Sequence, residues 1–166
     1  MNNLRAFVGV DPGKSGAFCL LIPHLRLIEF MDNKDSPRDI HAWIQLNHAK
    51  HGISVIMLEQ VRSVPGTSAG SNFSFGYNTG GPNWLAETIG CSVDHVLPKA
   101  WQKYLGLVVP AGLKGTARKT RIKKEVGKII ERLYPGVEIY GPRGGLLDGR
   151  ADALAIAHFA SHKWRI

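Results

Sequence analysis

The sequence predicts a single α/β domain built on a five-stranded mixed sheet, its first three strands an antiparallel meander, flanked by helices. Three observations predict it. Short apolar runs rich in branched residues recur at 5–11, 17–22, 25–30, 53–58 and 92–97. Runs of helical period lie between and after them, most clearly at 117–133. No repeat or linker divides residues 1–166, a length that suits one sizeable core.

The first strand stops at Pro12-Gly13, since Asp-Pro-Gly is strong turn chemistry. Pro23-His24 turns the second strand into a third, where Leu25, Leu27 and Ile28 stand against Arg26 and Glu29. Ser36 and Pro37 are an N-cap and first helical residue, and the stripe Ile40, Trp43, Ile44 and Leu46 carries a helix to about His51. Gly52 closes it, and a fourth strand follows. Residues 62–82 are rich in Gly, Ser and Asn and read as a long loop, with Phe73, Phe75 and Tyr77 at period two. A short helix at 83–89, a fifth strand and a helix at 98–105 come next. Residues 106–115 read as a loop. Ile122, Val126, Ile129, Ile130 and Leu133 then form the apolar stripe of the amphipathic helix. After a flexible stretch at 141–145, a last helix spans 148–162.

A net charge of +8 and a pI near 9.7 favour polyanionic partners, nucleic acid above all. Cys19 and Cys91 cannot make a disulfide framework or a four-thiolate zinc site, which points to a reducing, intracellular setting, cytoplasmic or nucleoid-associated. No secretory leader and no apolar run of membrane-spanning length is visible. The histidines show no clean zinc spacing, and His158 and His162 read as surface residues.

Four acids stand out. Asp11 and Glu59 each end an apolar strand, while Asp148 and Asp152 are i and i+4 neighbours at a helix start. If the strands are adjacent and parallel, their acidic ends meet at the rim where open α/β sheets bind ligands. Each acid has an ordinary reading: Asp11 as a turn former, Glu59 as a solvent-facing strand end, Asp148 as an N-cap, Asp152 as a first-turn acid on a helix dipole. Together they would repel unless a cation lay between them, and hard divalent metals take oxygen ligands of this kind. The run Gly9-Val10-Asp11-Pro12-Gly13-Lys14-Ser15 imitates a P-loop, but it falls one residue short of the Walker A spacing and leads into a strand rather than a helix.

Val8-Gly9-Val10-Asp11-Pro12-Gly13-Lys14-Ser15-Gly16, Met57-Leu58-Glu59-Gln60 and Asp148-Gly149-Arg150-Ala151-Asp152-Ala153-Leu154, in that order, resemble the RuvC-type Holliday-junction resolvases of the ribonuclease H-like superfamily. Pro98-Lys99-Ala100-Trp101-Gln102 and the basic run ahead of 117–133 resemble them as well. The likeness is nearest to the bacteriophage and plant-plastid branch. The bacterial branch places its last two metal-binding residues three apart, a position held here by Gly149, with the acid one residue earlier at Asp148.

The resemblance implies a ribonuclease H-like fold and a homodimeric crossover junction endodeoxyribonuclease that resolves four-way DNA in recombination and repair. It implies two Mg2+ or Mn2+ ions held by Asp11, Glu59, Asp148 and Asp152, with 5′-phosphate and 3′-hydroxyl products. It also implies a catalytic-site lysine, best matched by Lys119. Independently, Lys114, Arg118, Lys119, Arg121, Lys123 and Lys124 crowd a helix N-terminus, where cations oppose the macrodipole unless an anion joins them. With Lys14 they are candidate DNA contacts. Phe73, Phe75 and Tyr77 are candidates for stacking on unpaired bases, although all three could be core. A nuclease for RNA–DNA hybrids or other branched DNA, and a non-catalytic nucleic-acid-binding module, remain the alternatives.

Overall fold

The computed structural model describes residues 5–60 and 68–164, without the side chains of Ser71, Ser74 and Phe75. Strands β1 (Ala6–Val10), β2 (Ala17–Ile22), β3 (Leu27–Asp32), β4 (Ile53–Glu59) and β5 (Val93–Val96) form one sheet in the order β3-β2-β1-β4-β5. The meander β1-β2-β3 is antiparallel, and β4 and β5 run parallel to β1. Helices α1 (Pro37–His51), α2 (Ala69–Ile89), α3 (Pro98–Tyr104), α4 (Gly115–Leu133) and α5 (Asp148–Lys163) flank it.

Both faces of the sheet are covered. Phe7, Cys19, Leu21, Val55 and Met57 pack with Trp101, Val126, Ile130 and the small residues of α5. Val8, Val10, Phe18, Leu20, Ile56 and Leu58 pack with Ile44, Leu85 and Ala86 on the other side. Burial on two faces explains why β1, β2 and β4 read as unbroken apolar runs rather than alternating ones. Among the described residues no helix is long and apolar enough to cross a membrane.

Helix α1 begins and ends as its sequence predicts. Ser36 Oγ accepts from the Asp39 N–H, and Gly52 adopts the left-handed conformation. β3 starts later than predicted, because Pro23–Leu25 forms a 3-10 turn closed by Arg26 at φ 51°. The predicted loop at 62–82 is corrected from Ala69 onward to the first part of α2; residues 61–67 lie outside the described part. Its Gly-rich composition and Pro82 argue against a helix. Tertiary anchoring outweighs that propensity: Leu85 and Ala86 enter the core, and Asn78 Nδ2 donates to Pro12 O. His158 is also corrected. It is half-buried, hydrogen-bonded to Tyr134 and packed against Tyr104, which in turn stacks on His162. In the stripe of α4, Leu133 is exposed, and Gly127 is buried under Leu146.

Candidate active site

Adjacent parallel strands β1 and β4 bring Asp11 and Glu59 to the same rim. Asp11 opens a tight reversal in which its N–H donates to Ala17 O and its Oδ1 accepts from the Gly13 N–H. Two asparagines clamp that loop from outside. Asn33 Nδ2 reaches Asp11 O and Gly13 O, and Asn78 Nδ2 reaches Pro12 O from α2. The turn-forming reading of Asp11 is therefore realised, but only through one oxygen.

Close backbone approach places α5 over this rim. A Cβ on Gly9 would collide with Ala153 O and Ala157 N, and one on Gly149 with Ser15 O. Glycine at both positions lets the start of α5 lie against β1 and the β1–β2 loop, where Gly16 and Gly149 form an isolated parallel bridge. Arg150 ties the same turn to the far edge of the meander. Its Nε and Nη2 donate to the two oxygens of Asp32 at 2.8 and 3.1 Å, and its guanidinium lies over Phe30. The N-cap of α5 is Leu147, without a side-chain cap, so Asp148 is the first helical residue rather than a cap.

The four acids act on one another electrostatically. Burial raises the Asp11 carboxyl above its ordinary value and outweighs the Gly13 N–H; Asp148 adds to the rise. Burial pushes Glu59 up to about 7 against the hydrogen bond from Trp101 Nε1 to its Oε1, with Asp11 contributing. Asp152 is pushed well above its ordinary value, by burial first and then by Asp11, Glu59 and Asp148. Its Oδ1 is buried and has no hydrogen-bond partner. A buried carboxylate left so is costly unless a cation or proton reaches it. Among the described residues no three His, Cys, Asp or Glu side chains stand together as a ready-made ion site, and Asp148 is instead paired with the Lys123 ammonium.

Lys123 is thus the lysine whose ammonium meets these acids. Lys123 also feels Asp152 and Asp11, and its pKa is raised chiefly by the Asp148 hydrogen bond. Lys119 lies one turn earlier on the exposed surface of α4 and is not among the charges acting on the acids. Lys14, Lys114, Arg118 and Lys124 are exposed as well. Arg121 pairs with Glu125 at 3.2 Å. The N-cap of α4, Lys114, makes no side-chain cap, so the first amides of α4 and these cations face the same solvent.

The aromatic candidates sit on α2 rather than on a loop. Phe73 and Tyr77 are one helical turn apart and 76% and 66% exposed, which removes them from the core. Trp84, two turns beyond Tyr77 and 77% exposed, continues their stripe, and the sequence reading missed it. The Phe75 side chain lies outside the described residues. Sequence reasoning also missed Trp101, Asn33, Asn78 and the role of Arg150. Trp101 and Arg150 do sit in motifs that the sequence marks, whereas nothing local marks the two asparagines.

No family model matches the sequence, and no characterised protein matches it by sequence either. Solved structures do match. RuvC of Thermus thermophilus, in complex with a Holliday junction substrate, is similar with a TM-score of 0.61 at 16% identity, covering 96% of each chain. A second T. thermophilus RuvC structure gives 0.53 at 17% identity, over 95% of this chain and 96% of that one. The yeast mitochondrial Holliday junction resolvase gives 0.50 at 18% identity, over 93% of this chain and 76% of that one. At these identities the likeness establishes the fold, a ribonuclease H-like mixed sheet flanked by helices.

Proposed function

We propose that the chain is a structure-selective DNA endonuclease that resolves four-way junctions by metal-dependent phosphodiester hydrolysis. The observation that carries this is the buried Asp152 Oδ1, which has no hydrogen-bond partner, at a rim shared with Asp11, Glu59 and Asp148, on a chain of charge +8. The similarity in fold to junction resolvases agrees with it.

The donor set fits hard divalent cations such as Mg2+ or Mn2+. It is all carboxylate oxygen, one oxygen lacks a partner, and three of the four carboxyls are raised as uncompensated acids would be. Asp11, Glu59, Asp148 and Asp152 would hold two ions, which supply an activated water and stabilise the leaving 3′-oxygen. The chain's own residues do the rest. Asn33 and Asn78 fix the loop that carries Asp11, and Arg150 fixes the turn that carries Asp148 and Asp152. Lys123, paired with Asp148 at the rim, would bring positive charge to the scissile phosphate. Lys14, Lys114, Arg118, Lys119, Arg121 and Lys124 hold flanking phosphates, and the exposed rings of Phe73 and Tyr77 reach unpaired bases at the crossover. Cutting two opposed strands takes two such sites, hence a two-fold homodimer.

The test is a labelled four-way junction incubated with magnesium, beside linear duplex and an RNA–DNA hybrid of the same sequence. Paired cuts in opposed strands, with 5′-phosphate ends, are expected. Preferential cutting of the hybrid would assign the site to another reaction of this fold. Binding to the junction without cutting under any divalent metal would leave a nucleic-acid-binding module.

A further inference from the structure

We propose that Trp101 is a positioning residue for Glu59, its indole N–H fixing one carboxylate oxygen and so setting how the other is presented to the site. The inference rests on the nuclease reading above.

Trp101 is the only buried residue of α3 and is 1% exposed. Its ring packs in the core between the sheet and α5, and its single polar atom, Nε1, donates to Glu59 Oε1 at 2.9 Å. A buried indole N–H needs an acceptor, and a backbone carbonyl would serve a packing role equally well. Here the acceptor is a carboxylate at the strand end that faces Asp11 and Asp152.

The chain path makes the bond specific. Glu59 is in register with Val96, and the Gln60 N–H donates to Val96 O. Two residues later Pro98 starts α3, which folds back and delivers Trp101 to Glu59. Tyr104, at the other end of α3, packs edge-on against Phe159 of α5 at 5.4 Å. The short helix is thus held at both ends, by the sheet that carries Glu59 and by the helix that carries Asp152. A glutamate has three side-chain torsions, and a donor on a rigid, fully buried ring removes much of that freedom.

The experiment compares magnesium affinity, measured by calorimetry on the DNA-free protein, in wild type, Trp101→Phe, Glu59→Gln and the double variant. Phenylalanine retains an aromatic ring and loses the donor. Loss of a partner that orients a metal-holding side chain typically weakens affinity about 10- to 100-fold. That loss is expected in the wild-type background and is expected to vanish in the Glu59→Gln background, because coupled residues are non-additive. Equal losses in both backgrounds, or an unchanged affinity, would overturn the inference. The Trp101 indole N–H resonance of the intact protein gives a second readout even if Trp101→Phe fails to fold. It should move on Glu59→Gln and on magnesium addition, and a resonance indifferent to both also overturns the inference. If Glu59→Gln itself leaves magnesium binding and junction cutting intact, the nuclease reading fails instead.

Discussion

Glu59→Gln should make the metal-free protein more stable near neutral pH while abolishing its activity. Burial raises the Glu59 carboxyl from its ordinary 4.5 to about 7. The folded protein therefore binds that proton more tightly than the unfolded chain, so stability falls as pH rises from about 4.5 to about 7 and is level above. The interval, about 7 less 4.5, corresponds to about 3 kcal/mol at roughly 1.36 kcal/mol per pH unit. Glutamine has nearly the same shape and carries no charge, so it removes that cost. For a chain of this size about 3 kcal/mol is a rise of roughly 6–12 °C in melting temperature. Urea unfolding and thermal melts in chelator, from about pH 4.5 to about pH 8.5, measure it. The variant's advantage should grow through the acidic half of that range and then hold. Asp32 and Asp94, held below their ordinary 3.8 by Arg150 and, against burial, by Lys163 and Trp164, work with the opposite sign and at lower pH. Parallel pH curves for variant and wild type, or a less stable variant at about pH 8, would refute the reasoning.

Asp11→Asn and Asp152→Asn should each abolish junction cutting while leaving junction binding intact; full cutting at saturating magnesium removes that residue from the mechanism. Replacing Arg121, Lys123 and Lys124 together should flatten the dependence of junction affinity on salt by about one unit of slope for each phosphate no longer neutralised. An unchanged slope returns these residues to a solvated face. Phe73→Ala and Tyr77→Ala should each cost about 1–3 kcal/mol of junction affinity, with little effect on duplex affinity or on melting, since both rings are exposed. Equal losses on junction and duplex argue against base stacking. Gly9→Ala should cost about 1–3 kcal/mol or more in stability and depress cutting together, because its Cβ meets the backbone of α5; wild-type melting would show that α5 can shift freely.

Most of the fold was legible because its signals are local. Apolar runs, Ser36-Pro37 and Gly52 each mark a boundary by their own chemistry, and the acid at the end of each run pointed to the shared rim. Helix α2 was not legible. Gly70, Gly76, Gly80, Gly81 and Pro82 carry a loop's composition, and the helix there is held by contacts from residues far away in sequence, such as Asn78 on Pro12. Period two among Phe73, Phe75 and Tyr77 concealed the helical spacing of Phe73, Tyr77 and Trp84. That Lys123 rather than Lys119 meets Asp148 depends on the rotation of α4 relative to α5, which no local pattern encodes. Trp101 and Asn33 gain their meaning from which oxygen they touch, and that too is a property of the assembled chain.

The glycine-mediated contact between β1 and α5 has a consequence in time. Asp11 and Asp152 are 141 positions apart, and only α5 brings Asp148 and Asp152 to the rim. Closing so long a loop is slow and its entropy must be met before the contact gives anything back. During synthesis, β1 and β4 leave the ribosome long before α5 does. A half-made chain therefore carries two acids at a bare strand end and no complete site. On the nuclease reading proposed above, the chain thus becomes competent only once α5 has been made and has settled onto β1.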